Sequence, residues 1–313
     1  MKAVLSVVVP AYNEEEVLEA SHKRLTAVLT GLGSPYELIF VNDGSKDKTA
    51  EILDRLAAAD ECVRFITFSR NFGHMAAITA GIEHASGDAV IVIDADLQDP
   101  PEIIPRMVEK WREGYDVVYG KRSKRQGESL FKKISAAVYY RILKRISNIN
   151  IPVDTGEFRL IDRKVCDVMT GIKEHNRYMR GLVSWVGFRQ CAVEFVREER
   201  FAGKAKYSLG KMVELSINGL TAFSIKPLRL ASLAGAFLSA GGFIWLLIQI
   251  IGMITGQGRQ DWAVITAVLL LTQGFILLAI GILGEYVGRI FDETKARPAY
   301  IIQETKGFRN EGE

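Results

Sequence analysis

The sequence contains little cysteine and little histidine, which disfavours disulfide-rich and zinc-binding proteins. Of its 313 residues, three are cysteine and four are histidine, and none has the paired spacing of a zinc site. The cysteines, Cys62, Cys166 and Cys191, are predicted to be reduced core residues in a reducing compartment. The histidines are predicted to be ordinary helix or loop residues: His22, His74, His84 and His175.

A strong charge of one sign and a glycine-rich nucleotide motif are also missing. The formal net charge is +3, so a dedicated nucleic-acid-binding protein is not indicated. No Gly-x-Gly-x-x-Gly follows the first predicted strand, which disfavours a dinucleotide-binding site. No signal peptide is expected, because the apolar run at residues 4–9 is short and soon meets the acidic residues 14–16.

Two long segments without charge lie in the second half of the chain. Residues 230–258 and 262–284 each exceed the roughly 20 apolar residues that cross a bilayer as a helix. Only Arg259-Gln260-Asp261 separates them, which leaves room for no more than a tight turn. The sequence therefore predicts a transmembrane hairpin, with helices at about 230–255 and 262–286.

The charges that flank this hairpin predict its orientation. Basic residues precede the first segment and follow the second, whereas the turn has only Arg259. Because basic residues favour the cytoplasmic side, both ends of the hairpin and roughly the first 200 residues are predicted to face the cytoplasm. The flanking residues are Lys226, Arg229, Arg289, Lys295 and Arg297.

Strand-like and helix-like segments alternate in the first half of the chain. The alternation predicts an α/β fold in which helices cover both faces of a mostly parallel sheet. The predicted strands are residues 4–9, 37–41, 63–68, 89–93 and 116–119, and the predicted helices are 14–29, 48–59, 75–85 and 102–113.

Two acidic residues follow the fourth predicted strand. Asp94 and Asp96 come directly after the apolar run at 89–93, at the strand end where open α/β sheets bind ligands. Carboxylate and amide oxygens suit Mg²⁺ or Mn²⁺, which can bridge phosphate oxygens. The pair therefore predicts a metal-diphosphate site. The alternative is that two solvated acids cap the next helix.

A second polar segment follows the second predicted strand. Asp43, in Asn42-Asp43-Gly44-Ser45, lies where its carboxylate could accept a hydrogen bond from a base or a ribose. The alternative is a helix N-cap turn, for which Ser45 and Asp47 are well suited. The two interpretations are compatible.

Six segments together resemble the signatures of family 2 glycosyltransferases with the GT-A fold. The resemblance narrows to polyprenyl-phosphate glycosyltransferases, the relatives of dolichyl-phosphate mannose synthase and of the bacterial GtrB-type undecaprenyl-phosphate glucosyltransferase. Processive polysaccharide synthases fit less well, because the Gln-x-x-Arg-Trp motif and further membrane helices are not seen in the sequence. Secreted or Golgi GT-A enzymes also fit less well, because they would be expected to have an N-terminal anchor and disulfides. The segments are Val8-Val9-Pro10-Ala11-Tyr12-Asn13-Glu14, Asn42-Asp43-Gly44-Ser45, Ser69-Arg70-Asn71-Phe72-Gly73, Asp94-Ala95-Asp96-Leu97-Gln98-Asp99-Pro100-Pro101, Thr155-Gly156-Glu157-Phe158-Arg159-Leu160 and Leu283-Gly284-Glu285-Tyr286-Val287-Gly288-Arg289.

The resemblance implies transfer of one sugar from a nucleotide-diphosphate sugar to polyprenyl phosphate, in one in-line step that inverts the anomeric carbon. It implies a Mg²⁺ or Mn²⁺ cofactor held by Asp96 and Gln98, with Asp94 holding the ribose or a metal-bound water. The implied nucleoside-binding residues are Pro10, Tyr12, Glu14 and Asp43.

The resemblance also assigns basic residues to the two phosphate groups. Arg122 is expected at the acceptor phosphate, with Arg125 nearby, while Arg200 and Lys206 are expected at the donor diphosphate. The alternative for each is a solvated surface cation. Glu157, where relatives often have Asp, could orient a substrate, act as a base, or pair with Arg159.

Two further segments are predicted to lie at the membrane surface. Residues 121–145 contain nine basic residues and one acid, and apolar residues recur at helical spacing within 130–145. Such a helix could bind nucleic acid, but an anionic membrane surface fits better beside a hairpin. Residues 211–224 are predicted to be a second interfacial helix.

The predicted layout has four parts. Residues 1–210 form the cytoplasmic GT-A domain, 211–227 an interfacial helix, 228–290 the two transmembrane helices, and 291–313 a cytoplasmic tail. Gly284-x-x-x-Gly288 permits close helix packing, and the resemblance implies a homo-oligomer, specifically a tetramer.

The implied enzyme is a multi-pass protein of the bacterial inner membrane that binds a nucleotide sugar and a polyprenyl phosphate lipid. UDP-glucose is the first donor expected, and UDP-N-acetylglucosamine, GDP-mannose and a modified UDP-arabinose are the alternatives. The product would be flipped outward, with a flippase as partner, and would serve cell-surface glycans. The hypothesis from another class is a non-catalytic nucleotide-sugar-binding scaffold.

Overall fold

The described part of the chain forms two units. A computed structural model describes residues 4–123, 152, 155–172, 174, 179–198, 226–255 and 262–308. The first unit contains the described residues up to 198 together with 298–308, and the second contains those from 226 to 297.

The first unit is an α/β unit built around one sheet. Its strands are β1 (Leu5–Ala11), β2 (Tyr36–Asn42), β3 (Val63–Phe68), β4 (Ala89–Val92), β5 (Val117–Arg122), β6 (Thr155–Asp162), β7 (Gln190–Phe195) and β8 (Ile302–Lys306). Its helices are α1 (Leu18–Gly31), α2 (Thr49–Ala59), α3 (His74–His84), α4 (Ile104–Arg112, after a 3-10 turn at Pro101–Ile103), α5 (Arg163–Thr170) and α6 (Met179–Trp185).

The sheet is mixed but mostly parallel. Its strand order is β7-β5-β6-β4-β1-β2-β3-β8. The central strands β4, β1, β2 and β3 run parallel to one another, and β5 pairs parallel with β7. Strand β6 is antiparallel to both β4 and β5, and β8 is antiparallel to β3. The predicted α/β fold with a mostly parallel sheet is confirmed.

Helices bury both faces of this sheet. Alternate residues of β1 point to opposite faces, so that Val7 and Val9 pack with α1, α2 and α4, while Val8 packs with α3, α5 and α6. A strand buried on both faces needs apolar residues at every position, not only at alternate ones. This explains why the central strands are continuous apolar runs in the sequence.

The predicted boundaries are close to the observed ones, with one informative exception. The first helix was expected from residue 14, but α1 begins at Leu18. Asn13 has a positive φ of 53°, and its backbone N–H donates to Ser45 Oγ at 2.9 Å. Residues 13–16 therefore belong to a loop tied to the next β-α connection.

The C-terminal segment contains a strand that the sequence analysis did not predict. Residues 291–313 were expected to be a tail, yet β8 pairs with β3 along the edge of the sheet. Within β8, Ile302 is half-buried and the following residues are exposed. A strand with so little apolar content has no clear signature in a single sequence.

The second unit consists of two long apolar helices, α7 (Lys226–Ile254) and α8 (Trp262–Thr294). Each contains a segment long and apolar enough to cross a membrane, Ala231–Gly252 and Leu271–Thr294. Helix α8 extends beyond the expected end at residue 286. The predicted surface helix at 130–145, and residues 211–225 of the other, lie outside the described residues.

The close packing of α3 on β1 generates a stability prediction. A Cβ on Gly81 would lie 2.1 Å from Cγ1 of Val8 in the core. We therefore expect Gly81→Ala to lower the free energy of unfolding by about 1–3 kcal/mol, measured as a lower melting temperature in detergent. The matched control is Gly31→Ala at the end of α1, where no atom lies within 4 Å. Equal melting temperatures for the two variants would contradict the packing argument.

Candidate active site

The candidate site lies where three parallel strands end at one edge of the sheet. Strands β4, β1 and β2 are neighbours and point the same way. The loops that follow them, residues 93–100, 12–17 and 43–48, therefore meet at that edge. This is the crevice in which open α/β sheets bind ligands.

Hydrogen bonds join the loops that follow β1 and β2. Asn13 Oδ1 accepts from the backbone N–H of Lys46 at 2.9 Å, and the N–H of Glu14 donates to Thr49 Oγ1 at 2.9 Å. Tyr12 and Glu14 are half-buried in this connection, while Pro10 is buried in β1. The structure thus brings together Pro10, Tyr12, Glu14 and Asp43. Their nucleoside contact stays a prediction.

Asp43 holds the loop that follows β3. Its carboxylate is 3% exposed and accepts from the backbone N–H of Phe72 at 2.7 Å and of Gly73 at 3.0 Å. It also accepts from Asn71 Nδ2 at 2.9 Å. Burial raises the pKa of Asp43, although the two N–H groups oppose this. The N-cap residue of α2 is Lys48, not Ser45 or Asp47, although Asp47 Oδ1 accepts from the N–H of Thr49 at 3.0 Å in the turn before the helix.

His74 lies in the candidate site, where the sequence analysis did not place it. It follows the Asn71-Phe72-Gly73 loop as the first residue of α3. Its Nε2 lies 3.3 Å from Oδ1 of Asp94. The only signal in the sequence was its position directly after the segment Ser69–Gly73, since an isolated histidine has no informative spacing.

Asp94 is surrounded by other acidic side chains. Its Oδ1 is buried and accepts no hydrogen bond, and Nε2 of His74 lies 3.3 Å from it, an ion pair when the imidazole is protonated. Burial raises the pKa of Asp94, His74 opposes the rise, and Asp96, Asp99 and Glu157 add to it. Four carboxylates therefore lie close enough to repel one another at this edge of the sheet.

Asp96 and Gln98 form a tight turn. The backbone N–H of Gln98 donates to Asp96 Oδ1 at 3.1 Å, and Leu97 between them has a positive φ of 57°. The carbonyl oxygen of Gln98 accepts from the N–H of Glu198 at 2.9 Å. The turn thereby fixes both predicted metal ligands at the end of β4.

The residues present fit a divalent cation. Among the described residues, no group of three or more His, Cys, Asp or Glu could hold a metal. Mg²⁺ sites commonly take one or two carboxylates from the protein and further ligands from substrate phosphates, and Oδ1 of Asp94 is a buried oxygen that accepts no hydrogen bond. A cation here would also offset the burial and the neighbouring acids that together raise the pKa of Asp94.

Asp99 forms ion pairs with two arginines, Arg122 and Arg197. The sequence analysis placed Asp99 in a motif but gave it no role. Its carboxylate is 1% exposed and lies 3.4 Å from Arg122 Nη2 and 3.6 Å from Arg197 Nε. Burial raises the pKa of Asp99, and the two arginines oppose the rise. A Cβ on Gly156 would lie 2.6 Å from Arg122 Nη2, so glycine provides the space for this guanidinium.

Glu157 pairs with two arginines. Its carboxylate is buried, 3.1 Å from Arg159 Nη2 and 2.7 Å from Arg180 Nε. Burial works to raise the pKa of Glu157, but Arg159, Arg180 and His74 outweigh it, and the pKa is lowered. The carboxylate is therefore held as an anion in a structural ion pair. Its predicted catalytic contribution stays a prediction.

Three of the expected phosphate ligands, Arg125, Arg200 and Lys206, lie outside the described residues. The described segment before Arg200 ends at Glu198, whose carboxylate is 2.8 Å from Arg24 Nη2. Arg24 also pairs with Glu102 at 2.7 Å. Together with the bond to Gln98, these contacts attach the end of this segment to the turn that contains Asp96.

Residues 6–169 match the model of the family described as "Glycosyl transferase family 2", and the mostly parallel α/β sheet is that of the GT-A class of glycosyltransferases. The chain belongs to glycosyltransferase family 2.

Relatives match over nearly the full length. The chain is 54% identical to the "Uncharacterized glycosyltransferase YkcC" of Bacillus subtilis (strain 168), over 97% of this chain and 95% of the relative. It is 40% identical to the "Bactoprenol glucosyl transferase" of Shigella phage SfX, over 96% of this chain and 99% of the relative. Among solved structures, glucosyl-3-phosphoglycerate synthase from Mycobacterium tuberculosis matches with a TM-score of 0.48 and 23% identity, covering 70% and 79% of the two chains.

The Glu157 ion pairs generate a pH-dependent prediction. Glu157→Gln leaves Arg159 and Arg180 without their shared anion, which should cost about 3 kcal/mol of stability near neutral pH. Because the folded-state pKa of Glu157 is lowered, this stabilisation is present above the unfolded pKa and is lost as pH falls through the folded one. Melting temperatures should therefore differ most at neutral pH and converge in acid.

A second measurement separates structure from chemistry at Glu157. Glu157→Asp keeps the charge and Glu157→Gln removes it, so their turnover numbers can be compared at a temperature where both are folded. Near-wild-type turnover in the Gln variant would exclude a role as a base. A melting temperature that is unchanged at neutral pH would contradict the ion-pair assignment.

Proposed function

We propose that this glycosyltransferase transfers glucose from UDP-glucose to a polyprenyl phosphate. The observation that carries the proposal is the 40% identity, over 96% of the chain, to relatives named bactoprenol glucosyl transferase. The two helices long and apolar enough to cross a membrane support a lipid acceptor. The product would be a lipid-linked sugar for cell-surface glycans.

The chemistry of such an acceptor matches what the site offers. A phosphomonoester is largely anionic near neutral pH, since its second pKa is about 6, so the attacking oxygen needs little help from a base. The main demand is to stabilise the negative charge that develops on the leaving nucleoside diphosphate. A Mg²⁺ or Mn²⁺ held by Asp96 and Gln98 would supply that stabilisation.

The nucleotide would occupy the side of the crevice built by the β1 and β2 loops. Pro10, Tyr12 and Glu14 would line the nucleoside pocket, and Asp43 would act there together with the loop it holds. Asp94, fixed by His74, would hold the ribose or a metal-bound water. Inversion at the anomeric carbon follows from a single in-line displacement.

The acceptor phosphate would occupy the side where Arg122 and Arg197 converge on Asp99. Two guanidinium groups share one buried carboxylate, so a positive charge remains for an anionic ligand. The planar arginine fork suits phosphate oxygens. Arg125 would add charge there, and Arg200 and Lys206 would contact the donor diphosphate.

The cellular setting is part of the proposal. The catalytic unit, residues 1–210, would face the cytoplasm, with residues 130–145 and 211–227 at the surface of the bacterial inner membrane. The protein would cross that membrane twice, self-associate as a homo-oligomer, and pass its product to a flippase. Other donors remain alternatives: UDP-N-acetylglucosamine, GDP-mannose and a modified UDP-arabinose.

A transfer assay tests the reaction and the donor together. Purified protein is mixed with undecaprenyl phosphate, Mg²⁺ or Mn²⁺, and one of four radiolabelled donors: UDP-glucose, UDP-N-acetylglucosamine, GDP-mannose and UDP-galactose. We expect metal-dependent label in the organic phase from UDP-glucose alone. Label from another donor would change the sugar. Label from none of them, in protein shown to be folded and lipid-bound, would favour a rarer donor first and the scaffold hypothesis after it.

A pair of variants provides the control for this assay. Asp96→Asn removes a charged metal ligand and should reduce transfer by about 100-fold or more. Glu113→Gln removes a carboxylate whose ion pair is with Lys110 on the exposed end of α4, and should leave transfer unchanged. Equal activity of the Asp96 variant and the wild type would exclude the proposed metal site.

Arg197 offers a test of the acceptor side. Loss of one charge-assisted hydrogen bond is worth about 1.5–3 kcal/mol, so Arg197→Gln should raise the KM for undecaprenyl phosphate by about tenfold or more. The KM for the nucleotide sugar should change little. Arg106→Gln is the control, because Arg106 is exposed and bonds the carbonyl of Glu194. A larger change in the donor KM would move Arg197 to the donor side.

A further inference from the structure

The C-terminal strand lies beside the loop that forms part of the nucleotide pocket. In the β3–β8 pairing, Ile302 stands opposite Phe68, the last residue of β3. The pairing continues one step further, because the backbone N–H of Ser69 donates to the carbonyl of Ile301 at 3.0 Å. The loop held by Asp43 begins only two residues later, at Asn71.

Aromatic contacts continue from the C-terminal segment into this loop. The ring of Tyr300 stacks on Phe68, with ring centroids 5.0 Å apart and planes 15° apart. Phe68 in turn meets Phe72 edge to face at 5.8 Å and 89°. The Tyr300 hydroxyl also donates to Glu83 of α3, the helix that begins with His74.

The loop reached in this way has two contacts with the candidate site. The N–H groups of Phe72 and Gly73 donate to the carboxylate of Asp43. The next residue, His74, lies against Asp94. A change in the position of Phe72 would therefore alter the surroundings of both acidic residues.

We propose that Tyr300 is a positioning residue for the nucleotide pocket. Its ring packs on Phe68, which in turn contacts Phe72. This packing holds the 71–74 loop in the position in which it contacts Asp43 and contains His74. Nucleotide affinity would then depend on a residue that follows the second long apolar helix in the sequence. The inference rests on the proposed function, because it takes the site beside Asp43 as the nucleotide pocket.

The other end of β8 provides a matched control. Lys306 pairs with Asp54 of α2 at 2.5 Å and stands opposite Phe65, at the far end of β3 from the loop. Lys306→Ala and Tyr300→Ala each remove side-chain contacts of the C-terminal segment: those of Lys306 with Asp54 and Phe65, and those of Tyr300 with Phe68 and Glu83. Only Tyr300→Ala removes a contact that leads to the 71–74 loop.

The test uses the full chain in detergent and two measurements. Hydrogen exchange at the amides of Phe72 and Gly73 is followed without ligand, and binding of UDP with Mn²⁺ is measured by calorimetry. An aromatic pair is worth about two- to tenfold in an equilibrium constant. We expect Tyr300→Ala to speed exchange at both amides and to weaken UDP binding by about fivefold. Tyr300→Phe, which keeps the ring, should restore both values.

Specific outcomes would overturn the proposal. Unchanged exchange at Phe72 and Gly73 in Tyr300→Ala would show that the ring does not brace the loop. Faster exchange with unchanged UDP affinity, or an equal loss of affinity in Lys306→Ala, would show that the contact serves stability alone. If the wild type itself fails to bind UDP, the proposed donor is wrong. The exchange measurement still decides whether Tyr300 braces the loop.

Discussion

Electrostatic repulsion among four carboxylates at one sheet edge is the constraint on which the rest of the site depends. Asp94, Asp96, Asp99 and Glu157 lie close enough for the others to raise the pKa of Asp94. An uncompensated buried charge costs several kcal/mol, so basic side chains must accompany such a cluster. The structure provides His74 for Asp94, two arginines for Asp99 and two for Glu157. The cluster thereby determines which elements have to pack around it.

These ion pairs contribute geometry more than stability. The free-energy cost of removing two charges from water offsets most of their mutual attraction, so a buried ion pair adds little to the stability of the fold. Removing one partner is nevertheless costly, because it leaves the other charge buried and unpaired. What the pairs do provide is a single position for each partner. Arg122 is placed beside Asp99 at the end of β5, and Glu157 is fixed between Arg159 and Arg180. Under the proposed function, a guanidinium held in this way, such as that of Arg122, would be preorganised for a phosphate group before any substrate arrives.

Much of the fold could be predicted from the sequence, because central parallel strands are apolar at every position. The runs ending at Val9, Val41 and Ile93 predicted three strands, which the structure shows to be neighbours in the sheet. The acids after the second and third runs predicted where a candidate site would lie. Partners distant in sequence could not be predicted in this way. Arg197 and Asp99 lie 98 positions apart, and nothing local marks either as the other's partner. His74 was missed for a related reason, since its importance comes from the loop that Asp43 holds.

The unpredicted strand β8 has a physical consequence for the same site. A parallel sheet that ended at β3 would leave a row of unpaired N–H and C=O groups at its edge. Strand β8 pairs with β3 and so satisfies these groups. The pairing continues through Ile301 to Ser69, close to the start of the 71–74 loop. The loop is therefore held on two sides. Asp43, which follows β2, accepts hydrogen bonds from its backbone, and the segment that leads into β8 pairs with Ser69 just before it. Strand β8, in which Ile302 is the one half-buried residue, therefore helps to hold the 71–74 loop through its backbone pairing with β3.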